Sequence, residues 1–229
     1  MIEFSPADWQ AIELSTRVAI TATLVALPIG FATAYLLAFG RLPGKSLVNG
    51  IISLPLVLPP VVVGYLLLLS FGNRSWMGKL LAGLGIQIVF TWKAAVIASI
   101  VVGFPLLVHS IRIGMEDIDE KLIQASRTLG ARWYDTLFTV ILPLSTRAII
   151  AGATLLFARS LGEFGATIIL AGNIPGLTQT IPLAIYDYTS TPGGDTMALG
   201  LCLVSIVLAL AVLLFNEGLI KRVRRESRR

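Results

Sequence analysis

Residues 196–216 read TMALGLCLVSIVLALAVLLFN. No Asp, Glu, Lys or Arg interrupts this run. A helix needs ~20 mostly apolar residues to cross the hydrocarbon core of a bilayer, and this run supplies them. Similar runs recur toward the N-terminus. The spacing predicts spans at residues 18–40, 47–71, 92–112, 147–171 and 196–217. The third carries Trp92 at its start, a residue favoured at the membrane interface. The fourth contains Arg159 and Glu163.

Composition supports the same class. Hydrophobic residues make up 55% of the 229 and charged residues 14%, whereas a soluble domain carries about a quarter charged residues. So little polar surface could not cover a soluble core. The expected fold is all-α and membrane-integral. It has about five transmembrane helices in a single domain, residues 1–229, with a helical loop at residues 117–143 outside the bilayer. The first run is too long for a secretory h-region. Glu3, Asp8 and Glu13 precede it where a signal peptide carries positive charge, so it reads as a permanent span.

Lys and Arg in the loops favour the cytoplasmic side. With the N-terminus outside and the C-terminus inside, the cytoplasm holds Arg41, Lys45, Arg112, Lys121, Arg127, Arg132 and Arg147, and six cations of the tail from Lys221. The outer side holds Arg17, Arg74, Lys79 and Lys93. The net charge of +5 therefore reflects topology and points to no nucleic-acid partner. The tail KRVRRESRR reads as an orientation anchor touching anionic membrane lipid. Residues 1–17 read as an interfacial lead-in, and residues 42–45 as a tight cytoplasmic turn. Cys202 and His109 are each the only residue of their type. A metal site needs several such ligands, so no metal and no cofactor is expected.

Pro55, Pro59, Pro60 and Gly64 interrupt the second span. Each proline removes a backbone donor. Freed carbonyls at membrane depth are tolerated only inside protein or beside a watery cavity. The span therefore lies against other helices or a pathway, or carries a simple kink. Arg159, at the middle of the fourth span, is costly in a bilayer. Glu163 follows four residues later, on the same face of a helix. Two readings stay open: a structural ion pair, or a functional charge facing the protein interior.

The loop at residues 117–143 has the pattern of a short amphipathic helix. Asp117 can cap it, with Glu120 in capping-box position. Leu122, Ala125 with Ser126, Leu129 and Trp133 share a face at helical spacing, and Gly130 can end the helix. Such a helix packs on its own bundle, lies on lipid, or docks a partner.

Gln124-Ala125-Ser126, three residues, Gly130, nine residues, then Val140-Ile141-Leu142-Pro143 resembles the EAA loop of ABC-importer permeases. That motif reads Glu-Ala-Ala, three residues, Gly, nine residues, Ile, one residue, Leu-Pro. The sequence departs from it mildly at Gln124, Ser126 and Val140. Phe157-Ala158-Arg159-Ser160-Leu161-Gly162-Glu163-Phe164-Gly165-Ala166 is similar to a segment shared by oxyanion permeases for sulfate, molybdate and tungstate. Residues 54–64, Asn173-Ile174-Pro175-Gly176, Thr178-Gln179-Thr180-Ile181-Pro182 and Thr191-Pro192-Gly193-Gly194 look most like the molybdate permeases among them.

The resemblance implies a type I ABC importer permease in the inner membrane. It implies a second copy of the chain, two cytoplasmic ATPase subunits and a periplasmic oxyanion-binding protein as partners. Leu122, Gln124, Ala125, Ser126, Leu129 and Gly130 would dock the ATPase, with Leu142 and Pro143 closing the loop. Arg159, Ser160 and Glu163, with Pro59 and Pro60, are the candidate pathway or gate. The chain has no Walker-type phosphate loop, so ATP hydrolysis would belong to the partner. No catalytic residue is expected. The other classes weighed are a membrane-embedded enzyme, for which no constellation is visible, and a scaffold that binds the ATPase but moves nothing. Tungstate and sulfate remain alternative cargoes.

Overall fold

Ser5 starts the first helix. Its hydroxyl accepts from the Asp8 N–H, and the Asp8 carboxylate accepts from the Ser5 N–H at 2.8 Å, a reciprocal capping box. In the computed structural model, which describes residues 4–40 and 43–226 with side chains described as far as residue 222, this helix is α1, Pro6–Phe39. Glu3, Arg41, Leu42 and the end of the basic tail lie outside the described residues.

The expected lead-in is thus corrected from residue 6 onward. It forms the first turns of α1, with Asp8, Ala11 and Ser15 buried. At 1.5 Å per residue, α1 is ~50 Å long, well beyond the ~30 Å hydrocarbon core. Its first turns therefore project past the bilayer. There the Tyr188 hydroxyl donates to Asp8 at 2.9 Å, and the Ile181 N–H donates to Ser15 at 2.8 Å. Burial, and next the bond to Asp8, hold the Tyr188 phenol above its ordinary value. It stays a neutral donor at neutral pH.

Helix α5, Trp92–Glu116, is the centre of the bundle. It runs parallel to α1. The Arg17 guanidinium lies 4.3 Å from the Trp92 ring centroid, and Gly30 packs on Leu107 and Phe104. The chain between α1 and α5 must therefore return once to the Trp92 end. Helices α2, Lys45–Val57, and α3, Pro60–Phe71, make that return. They are bent by 114° at the break. Pro59 and Pro60 carry no N–H, so the helical ladder cannot pass through them. The single second span, residues 47–71, is corrected to this broken pair. α3 packs on later helices, as expected of this span, while α2 touches α5 with no fully buried residue of its own. The chain then passes through the short α4, Trp76–Gly83, back to Trp92.

The fourth span also moves. It runs from Trp133 to Leu161 instead of residues 147–171. It comprises α7, Trp133–Thr136, a π-helical turn, Leu137–Ile141, and α8, Leu142–Leu161. A proline ring clashes with the carbonyl four residues before it, which for Pro143 is Thr139. In the widened turn the Leu142 N–H bonds to the Leu137 carbonyl, and the helix continues. α8 is antiparallel to α5: Gly103 meets Leu156, and the Ser110 hydroxyl donates to the Ala148 carbonyl at 3.1 Å. After Gly162 come the short α9, Gly165–Leu170, then α10, Ile181–Thr189, and α11, Asp195–Glu226. The Phe90 N–H donates to Leu170 at 3.2 Å and α10 touches the start of α1, so α11 begins at the Trp92 end.

Among the described residues, four helices are long and apolar enough to cross a membrane, and the bent pair makes a fifth crossing. No strand occurs among them. The start of α1 and the end of α11 lie at opposite ends of the bundle.

Small residues let the backbones approach, as is usual between membrane helices. Ala19, Ala22, Ala26, Gly30 and Ala34 form the buried stripe of α1. Between α3 and α9, a Cβ on Gly64 would lie 2.8 Å from the Ala166 Cα and carbonyl oxygen, which are backbone atoms and cannot yield. Gly64→Ala is expected to destabilise the protein by about 1–3 kcal/mol, read as a lower apparent melting temperature in detergent. Gly83 has nothing within 4 Å of its Cβ position, and Gly83→Ala is expected to melt with the wild type.

Candidate functional site: an exposed helix at one end and a charged break inside

Helix α6, Glu120–Thr128, follows α5 at the Glu116 end. Asp119 caps it, accepting from the Lys121 N–H at 2.9 Å. Asp117, the expected cap, instead ends α5, its N–H bonded to the Ile113 carbonyl. Ile118 and Ile123 are buried in the main core and pin α6 to the bundle. Gly130 takes φ +86°, as the chain reversal after the helix requires.

The outward surface of α6 carries Leu122, Gln124, Ala125, Leu129 and Gly130, all exposed. Leu129 is 88% exposed, which marks an apolar side chain with no partner in its own chain. Trp133 is exposed beside it. Ser126 departs from the expected face. It is half-buried, and its hydroxyl meets that of Thr136 at 3.0 Å, tying α6 to the start of the fourth span. Leu142 and Pro143 lie just past the π-helical turn, with Pro143 exposed.

The second site is the break after α8. The helix ends at Leu161, so Arg159 and Glu163 do not share one continuous helix. They still meet: Arg159 Nη2 lies 2.7 Å from Glu163 Oε2, a charge contact outside hydrogen-bond alignment. The other carboxylate oxygen accepts from the Ala166 N–H at 2.7 Å and caps the start of α9. The Glu163 side chain is 1% exposed and that of Arg159 is 30% exposed. The carboxylate is thus enclosed, and part of the guanidinium faces outward. Ser160 is buried and donates to its own Leu156 carbonyl at 2.8 Å, leaving no hydroxyl proton for a ligand. Pro60 packs on Gly165, where a Cβ would come within 2.9 Å. The structure therefore brings Pro60, Arg159 and Glu163 to one locus, while Pro59 is exposed at the elbow.

Sequence reasoning missed two features. Ile123, the anchor of α6, is one apolar residue among several at helical spacing. The second is a polar cluster between α2 and α5. Asn49 and Ser53, four apart in an apolar run, face His109 and Arg112, three apart in another. That matched spacing was the available signal. No group of three or more His, Cys, Asp or Glu able to hold a metal occurs among the described residues.

Five crossings, with α5 at the centre and a short helix exposed at one end, define a helical multi-span membrane protein. The chain matches the family described as binding-protein-dependent transport system inner membrane component over residues 26–225, and it belongs to that family. It is 51% identical, over 96% of both chains, to the molybdenum transport system permease protein ModB of Escherichia coli (strain K12). It is also 51% identical to ModB of Haemophilus influenzae, over 94% of this chain and 95% of that one. Its fold matches a chain from inward-facing conformations of the MetNI methionine ABC transporter. The TM-score is 0.74, covering 96% of this chain and 99% of that chain at 16% identity. The architecture is that of a type I ABC importer permease.

A charge swap at 159 and 163 would be uninformative, because an Arg at 163 cannot accept from the Ala166 N–H. Glu163→Gln keeps an acceptor and removes the charge; Glu163→Ala removes both. Stability in detergent is expected to fall in the order wild type, Gln, Ala, with the Ala variant losing about 2–3 kcal/mol. Equal melting of Gln and Ala variants would rule out the capping role.

Proposed function

We propose that this chain is the membrane-spanning subunit of an ATP-driven importer of molybdate. Two copies form the pathway, two cytoplasmic ATPase subunits dock on α6, and a periplasmic binding protein delivers the anion. The N-terminus is outside and the C-terminus cytoplasmic, on the loop charges given above. The carrying observation is α6 itself: a capped helix pinned by Ile118 and Ile123 that presents Leu122, Ala125 and Leu129 with nothing of its own chain over them. The cargo reading rests on the 51% identity to molybdenum permeases.

Closure of the ATPase dimer on ATP would draw the two α6 helices together. The bundles would then tilt, and the pathway would change from inward-facing to outward-facing. Arg159, with its partly outward guanidinium, offers positive charge to a passing dianion. Glu163 holds that guanidinium and the start of α9 in place. In this reading the nucleotide sites belong to the ATPase subunits, and the chain needs no tight anion cage, which would slow release.

Leu129→Asp buries a charge at the docking surface, and Ala125→Trp adds bulk there. Each is expected to insert in the membrane normally and to lose ATPase co-purification or ATP-driven uptake by about tenfold or more. Gly130→Ala forces a left-handed backbone on an L-residue, at about 1–2 kcal/mol, and should show a milder loss. Proteoliposomes holding this chain, the ATPase and the binding protein test the whole reading with labelled molybdate, tungstate and sulfate. Uptake that persists without the ATPase would replace it with a channel or secondary transporter. Selective sulfate uptake would correct the cargo.

A further inference from the structure

Helix α2 poses a mechanical problem. It buries no residue, and it meets α3 at a 114° elbow whose two prolines break the hydrogen-bond ladder. Lipid-facing apolar side chains do not fix the rotation or height of such a helix. Ile52 packs partly on the core, and one polar cluster ties α2 to α5. The Arg112 Nη1–H donates to Asn49 Oδ1 at 3.0 Å, and Arg112 Nε–H donates to Glu116 at 2.7 Å. Ser53 Oγ donates to the Asn49 carbonyl at 2.8 Å and lies 3.0 Å from His109 Nε2.

Arg112 and His109 of α5 thus each reach a side chain of α2, Asn49 and Ser53 respectively.

The cluster lies between the two sites described above. On one side, Glu116 is the last residue of α5, and the buried Ile118 and Ile123 join that end to α6. On the other, α2 leads through the elbow to α3. There Gly64 packs on Ala166 and Pro60 on Gly165, beside Glu163. We propose that Asn49, Ser53, His109 and Arg112 are positioning residues. They lock the broken second span to the end of α5, so that displacement of α6 reaches α3 and the Arg159–Glu163 break. This deepens the transport reading and rests on it for its functional consequence.

The test uses the assembled transporter: two copies of this chain, the ATPase and the binding protein in proteoliposomes. Asn49→Leu with Ser53→Ala removes both side-chain partners that α2 offers to α5. Asn49→Asp keeps the acceptor for Arg112. The double variant is expected to assemble and to hydrolyse ATP within about twofold of wild type, while anion taken up per ATP falls about tenfold. Asn49→Asp is expected to retain the wild-type ratio. An unchanged ratio in the double variant overturns the proposal. So does a parallel fall of hydrolysis and uptake, which is the mark of a merely structural role.

A second measurement needs no cargo. Spin labels at Gly50 and Ile113, both exposed, in a Cys202→Ala background report the α2–α5 distance with and without a non-hydrolysable nucleotide. One narrow distance is expected in both states of the wild type, and a broadened one in the double variant. A wild type that moves no oxyanion sinks the transport reading and leaves the lock to be judged on these distances. A wild-type distance that changes with nucleotide sinks the lock itself.

Discussion

Everything in this fold is referred to the close approach of α1 and α8 to the two sides of α5. No hydrophobic force drives apolar helices together in lipid, so van der Waals contact between small residues must hold them. Gly30 of α1, in a buried stripe with Ala22, Ala26 and Ala34, meets α5 at Leu107 and Phe104. Gly152 of α8, and Gly103 of α5 under Leu156, permit the other contact. The result is asymmetric: α5 is mostly buried inside the protein, and α11 is mostly exposed. α5 is therefore the reference to which α1, the broken second span and α8 are fixed, while α11 packs on α8 and α10.

Two irregular elements are built onto that frame, and each has a chemical cause. The elbow follows from consecutive prolines. The break after Leu161 is stabilised by Glu163, which serves two helices at once, holding Arg159 of α8 through one oxygen and capping α9 through the other. The two irregularities are packed on each other through Gly64, Ala166, Pro60 and Gly165. A change at one is transmitted to the other by backbone contact, with no flexible side chain between them to absorb it.

The number of crossings and the place of α6 were legible in the sequence, because uninterrupted apolar runs and a capped amphipathic segment are local properties. Arg159 and Glu163 were legible as a pair for the same reason. What escaped was set by partners distant in the chain. Residues 6–17 looked like a polar lead-in because nothing nearby tells that Asp8 meets Tyr188 and Ser15 meets Ile181. The fourth span began early because a π-helical turn lets helix continue past Pro143. Asp117 lost its expected cap role because α5 extends through Glu116 and claims its N–H. Ser126 was read as part of the docking face, but Thr136, ten residues on, draws it inward.

The elbow between α2 and α3 also bears on how the chain enters the bilayer. The two helices have 13 and 12 residues, or ~20 and ~18 Å at 1.5 Å per residue, and neither alone covers ~30 Å of hydrocarbon. During synthesis, residues 45–71 emerge before the α5 and α9 against which they are finally packed. The prolines set the bend from the start, but the packing that encloses it is complete only when the C-terminal half of the protein has arrived.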